Sequence, residues 1–229
     1  SGPTRRLVEH ELVSVWSRVG RASAAIELGT QLLATDADLT PADRLELLNS
    51  IALAALAVGD MAAAASASDE AMAVAAADGT DTGRRGRAEA LAARVAVELG
   101  DTVQADRLAI SALTHAAEAG RADVECDALE VRGRATDHFG DRIAWFERCR
   151  DVAERAGLTA RRLHAEFSAS TIAAMLGDSA RLRRTRDLAA SFGAADTAAV
   201  ADLIIADFAL LTLDHDACLD AAQRCAEAS

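Results

Sequence analysis

Apolar residues recur at helical spacing along nearly the whole chain. In the first stretch Leu7, Val8, Leu12, Val15, Trp16 and Val19 gather on one side of a helix, Gly20 interrupts, and a second patterned stretch follows. The same sequence of stretch, break and stretch continues to the end. It predicts paired helices over 5–19 and 21–34, 41–58 and 61–77, 84–99 and 101–119, 122–139 and 141–156, 159–176 and 178–192, and 194–213 and 215–229. Thr40 is placed to cap the third helix and Pro41 to occupy its first position, where a missing N–H costs nothing. Residues 78–83, Gly120 and Gly157 supply further breaks.

The breaks inside the pairs are periodic. Gly20, Gly59, Gly100, Gly140 and Gly177 are separated by 39, 41, 40 and 37 residues, and Asp214 lies 37 beyond the last. A fixed period of this length marks a stack of supersecondary units. Gly ends one helix in the left-handed conformation, and a following Asp accepts from the exposed N–H groups of the next helix. Two helices joined this way are antiparallel neighbours, and neither buries enough surface alone, so hairpins must stack. The expectation is therefore an all-α solenoid of about six hairpins in a single domain over 4–229. Its hairpins fall near 4–35, 41–77, 83–119, 121–156, 158–192 and 194–229. In the weaker sixth copy Asp214 stands where the other copies have Gly. Residues 1–3 read as an expression scar, and the whole as a piece of a larger protein.

Composition sharpens this picture. Alanine makes up about a quarter of the chain, Tyr is absent and aromatic residues total 3%, which suits thin cores between closely approaching helices and disfavours sheets. All 24 basic residues are Arg. With no Lys there is no Walker-type phosphate loop, Schiff-base enzyme or lysine base. The Arg and Ala bias is the style of a GC-rich, actinobacterial-type genome. A net charge of −12 argues against the chain tracking a nucleic-acid backbone. Cys126, Cys149, Cys218 and Cys225 show no CxxC spacing and read as reduced residues of a cytoplasmic protein. The most apolar window, 51–65, is split by Gly59-Asp60 and is too weak to span a membrane.

The motif around the turns resembles the tetratricopeptide repeat (TPR) family. Leu or Val precedes Gly-Asp, with Ala five and twelve residues after the Gly: Ala64 and Ala71 in the second unit, Ala105 and Ala112 in the third. Ala25, Ala189, and the set Leu129, Gly133 and Gly140-Asp141 match in part. The chain departs from the family in its longer period, against about 34 residues, in alanine at most aromatic positions, and in lacking the closing proline. Long, alanine-rich, arginine-only repeats also resemble the sensor region of MalT-like and large LuxR-type bacterial transcription regulators. That resemblance implies an ATPase module before the repeats and a DNA-binding helix-turn-helix after them, and neither motif is in this sequence.

The TPR resemblance implies that one face of each first helix lines a concave groove. Steps of three and four along those helices nominate Glu46, Asn49, Leu53 and Leu56; Arg87, Ala90, Arg94 and Val97; Asp127, Glu130, Arg134 and Asp137; and His164, Phe167, Thr171 and Ala174. As a ligand or peptide groove the set to test is Asn49, Arg87, Arg94, Glu130, Arg134, Asp137, His164 and Phe167, with arginines for an acidic peptide or small anion. The alternative is a solvated, mutually paired face. Arg181, Arg183, Arg184 and Arg186 read as a solvated basic run, Trp16 and Trp145 as core anchors, and Met61, Met72 and Met175 as gap fillers. Asp214, His215, Asp216 and Cys218 are too few and ill spaced for zinc. No GxSxG or HExxH appears. The expectation is thus a non-enzyme without cofactor, catalytic residue or metal. Its partner is a protein, a peptide or a small effector, and self-association stays open. It is either the sensor of a modular regulator or a stand-alone adaptor.

Overall fold

In the computed structural model, the described residues are 3–17, 19–77 and 81–228. Ser1 and Gly2 of the expected scar, residues 78–80 of the break before the third pair, and Ser229 lie outside them. The described residues form twelve helices and no strand. By its contacts the chain divides into two compact units, Ser1–Ala135 and Thr136–Ser229.

The first unit holds α1 (Pro3–Trp16), α2 (Ala22–Thr35), α3 (Pro41–Val58), α4 (Met61–Ala75), α5 (Thr82–Glu98), α6 (Thr102–Ala119) and α7 (Ala122–Ala135). Its core is a run of thin alanine-rich layers. Val13, Ala25, Leu32, Leu47 and Ala54 close the first hairpin onto α3. Leu45, Leu48, Ala52, Ala67 and Ala71 join α3 to α4, and Ala93, Ala105, Ala109, Ala112, Val124 and Ala128 join α5, α6 and α7. Trp16 packs against the first layer as expected, with the Arg21 guanidinium 4.5 Å from its ring.

The second unit holds α8 (Phe139–Arg155), α9 (Thr159–Met175), α10 (Ser179–Ser191), α11 (Ala195–Leu211) and α12 (His215–Ala228). Phe146, Ala169 and Ile172 join α8 to α9, and Leu182, Ala201, Ile205 and Ala221 join the last three helices. Met175 is exposed rather than filling a gap.

The Gly-Asp turn works as its chemistry requires. Gly59 has φ +78°, its N–H donates to the Leu56 carbonyl, and the Asp60 N–H reaches back to the Ala55 carbonyl at 2.9 Å. The Asp60 carboxylate then accepts the Ala63 N–H at 3.0 Å and caps α4. Asp101 and Asp178 cap α6 and α10 in the same way after Gly100 and Gly177. One residue thus ends one helix and the next starts another, which fixes the antiparallel return.

Two expectations about these turns are corrected. Gly140 is not a turn glycine: α8 already runs through it, its first bond being Arg142 N–H to the His138 carbonyl at 3.0 Å. The turn lies at 136–138. Asp141 sits in the first turn of α8, where a carboxylate favours the positive helix end. In the sixth copy it is Leu213, not Asp214, that replaces the Gly. Leu213 has φ +59°, and Asp214 keeps the capping role by accepting the Ala217 N–H at 3.1 Å. A leucine held left-handed costs about 1–2 kcal/mol, and this one is exposed, so little packing offsets the strain. Leu213→Gly is accordingly expected to raise stability by about 0.5–1 kcal/mol after the extra unfolded-state entropy of Gly is subtracted, read from urea denaturation midpoints.

Candidate functional site

The first helices α3, α5 and α7 bring their nominated faces side by side in the first unit. The Arg87 Nη1 of α5 lies 3.4 Å from Glu46 Oε2 of α3. Arg134 Nη2 of α7 lies 2.7 Å from Glu98 Oε1 at the end of α5. These pairs show that side chains one helix apart meet across the face. Both are partly exposed, so each contributes at most about 1 kcal/mol and is open to exchange with an incoming ligand.

Between the pairs lie two side chains with unused capacity. Asn49 is 4% exposed, and neither its amide nitrogen nor its amide oxygen has a hydrogen-bond partner. Buried amides are nearly always satisfied, so this is a costly arrangement that a small shift of α3 or its neighbours would relieve. Arg94 lies two helical turns along α5 from Arg87, is exposed, and makes no ion pair with a described residue. Arg94 lies one turn before Glu98, the residue of α5 that pairs with Arg134. Glu130 is half-buried and engaged in contacts of its own.

Solved structures with this architecture are known. BtubC (BKLC) from P. vanneervenii superposes with a TM-score of 0.66 at 16% identity, over 92% of this chain and 89% of that one. The nearly identical TPR-like repeats of a kinesin light chain protein of Podosopora anserina give 0.59 at 18% identity, over 84% and 98%. A Rap protein complexed with competence and sporulation factor gives 0.64 at 14% identity, over 97% and 75%. The fold is TPR-like. No protein-family model matches the chain, and no curated protein matches it.

The remaining nominated residues of this TPR-like repeat lie in the second unit. Asp137, in the turn before α8, is exposed, and His164 on α9 is exposed and engaged. Phe167 packs against the layer of Ala174, Leu182 and Ile205, so it serves the core. Its carbonyl accepts the hydroxyls of Ser170 and Thr171 at 3.0 and 2.9 Å.

Three charged clusters were not nominated from the sequence. In the first unit Glu89 is buried. Its Oε1 accepts the Ser111 hydroxyl at 3.0 Å and its Oε2 the His115 Nδ1–H at 2.6 Å. The carboxylate stands between hydroxyl and imidazole, so the His115 ring is not the group bonded to the Ser111 hydroxyl and the trio lacks the order of a Ser-His-Asp relay. In the second unit Arg181 of α10 bridges Glu147 of α8 at 2.8 Å and Glu166 of α9 at 3.2 Å. Burial pulls the Arg181 pKa down, but the hydrogen bonds it donates to Glu166 and Glu147, with the charges of those carboxylates, outweigh it and leave the pKa raised above the ordinary value. Asp202 of α11, 6% exposed, holds Arg224 of α12 at 3.0 Å and Arg186 of α10 at 3.7 Å. The solvated basic run is thereby corrected: Arg181 and Arg186 tie helices together, while Arg183 and Arg184 face water. Among the described residues no three His, Cys, Asp or Glu side chains converge as metal donors, and no helix is long and apolar enough to cross a membrane.

Proposed function

We propose that this chain is a non-catalytic binding repeat whose α3, α5 and α7 face takes an acidic peptide segment or small anion. The observation that carries the reading is Arg94, an exposed guanidinium without an ion pair to a described residue, one turn from Glu98, the partner of Arg134. Arginine's planar fork suits bidentate binding of carboxylates. Arg87 and Arg134 can join by exchanging Glu46 and Glu98 for the ligand. The chain then serves as the signal-receiving part of a bacterial transcription regulator or related signalling protein. The Rap protein of the same architecture, complexed with competence and sporulation factor, supports the binding part of this reading.

The test is a thermal-shift screen of acidic peptides and anionic metabolites against the chain, followed by titration of any hit. Arg94→Glu with Arg134→Glu is expected to weaken binding at least about tenfold, since each desolvated charge-assisted contact is worth about 1.5–3 kcal/mol. The fold should survive, because Arg94 is exposed and Arg134 is in a partly exposed pair. Unchanged affinity in the double variant would remove the site from this face.

A further inference from the structure

The outward face of α11 takes no part in the binding role above and has a chemistry of its own. Asp196, Val200, Leu203, Asp207 and Leu210 follow one another at steps of three and four, so they share one side of the helix, and all five are exposed. Leu203 and Leu210 leave 52% and 56% of their surface open, with Leu211 at 78% beside them. The opposite side is committed to the core through Ala198, Ala201, Ile205, Ala206 and Ala209. The stripe runs about 21 Å, the length over which a helix of four turns would lie.

Two features choose the occupant. The first is charge. Where other helices of this chain are covered, the carboxylates on their edges meet arginines, as in Glu98 with Arg134, Asp106 with Arg132 and Glu147 with Arg181. Asp196 and Asp207 have no such cation among the described residues. A second copy of this chain, with net charge −12, would bring carboxylates against them. The second feature is size. The buried surfaces of α5 and α9 are built largely of alanine, such as Ala88, Ala92, Ala165 and Ala169. The α11 stripe instead offers valine and leucine, the anchors by which an amphipathic helix is gripped rather than the small residues by which two hairpins close up.

We propose that this stripe docks a basic amphipathic helix of a partner protein. Its apolar side lies on Val200, Leu203 and Leu210, and its arginines or lysines pair with Asp196 and Asp207.

Two synthetic helices of about 18 residues serve as probes, one with a leucine stripe flanked by arginines and one with glutamates in their place. Each is followed by fluorescence anisotropy against the whole chain. The arginine helix should bind in the micromolar range, weaken at least about tenfold in roughly 0.5 M salt, and outbind the glutamate helix by a similar factor. Leu203→Glu with Leu210→Glu should lower its affinity at least about tenfold, as both side chains are anchors. Asp196→Lys with Asp207→Lys changes only exposed carboxylates, so it remains decisive if the leucine variant misfolds. It should reverse the preference between the two probes. Failure of the arginine helix to bind, equal binding of both probes, or indifference to the aspartate variant would overturn the proposal. So would a dimer in light scattering that the leucine variant dissolves, since that assigns the stripe to a second copy.

Discussion

Asp202→Ala is expected to destabilise the second unit by about 2–3 kcal/mol, the largest effect anticipated for a single side chain there. Asp202 is almost fully enclosed, and two arginines from the helices on either side converge on it. Removing it takes the nearest carboxylate from the Nε of Arg186, which is buried and already without a hydrogen bond, and leaves that guanidinium only Asp187, 3.1 Å from its Nη1. Loss of one member of a fully buried pair costs about 3–5 kcal/mol. The arginine side chains here are 24% and 37% exposed and can partly rehydrate, which lowers the figure. Thermal melting should show the midpoint falling by about 5–10 °C. Asp202→Asn, which keeps the volume and one acceptor, should lose roughly half as much. A variant melting within about 1 °C of the parent would mean that the arginines hold these helices by their aliphatic stems alone.

Glu89→Ala should cost a comparable amount in the first unit, about 2–3 kcal/mol. Two donors, Ser111 Oγ and His115 Nδ1–H, lose their acceptor at once, and a cavity opens between α5 and α6. Glu89→Gln is expected to recover most of the loss. The amide oxygen can accept from Ser111, while an imidazole carrying its proton on Nε2 can accept from the new NH₂ group through Nδ1. That exchange is visible in the tautomer-sensitive ring nitrogen shifts of His115. If Gln proves as damaging as Ala, the negative charge and not the hydrogen-bond count is what holds the trio.

Much of the architecture was legible because it is local. Thr40 caps α3 and Pro41 opens it as their chemistry requires, and Asp60, Asp101 and Asp178 each cap the helix that follows a left-handed glycine. Such features involve residues a few positions apart, so the sequence displays both partners together. Gly140 misled for the same reason. A glycine before an aspartate at the right interval fits a turn, but α8 begins at Phe139, one residue before Gly140, and absorbs it. Leu213 was hidden because leucine carries no sign of a left-handed conformation, and the constraint comes from the helices it joins.

The charged clusters were illegible for a different reason. Glu89 and Ser111 are equidistant from Gly100, so reflecting the chain about its turn glycine would have matched them. Arg181 with Glu147, and Asp202 with Arg186, join helices of different hairpins, where no such mirror applies. The proposed face divides along the same line. Glu46 and Arg87 were nominated separately and meet across neighbouring helices. Asn49 was nominated as a groove residue but is shut away from solvent, and Phe167 belongs to a core layer.

By itself the sequence determined the repeat, the helices and the turns at Gly59, Gly100 and Gly177. Period, propensity and capping act over one or two helical turns and need no knowledge of neighbours. The tertiary structure decided which arginines are structural and which stay open, because a charge's role depends on the dielectric around it and on partners brought from other helices. Arg181 and Arg94 look alike in the sequence. Packing made the first a clamp between three helices and left the second facing solvent.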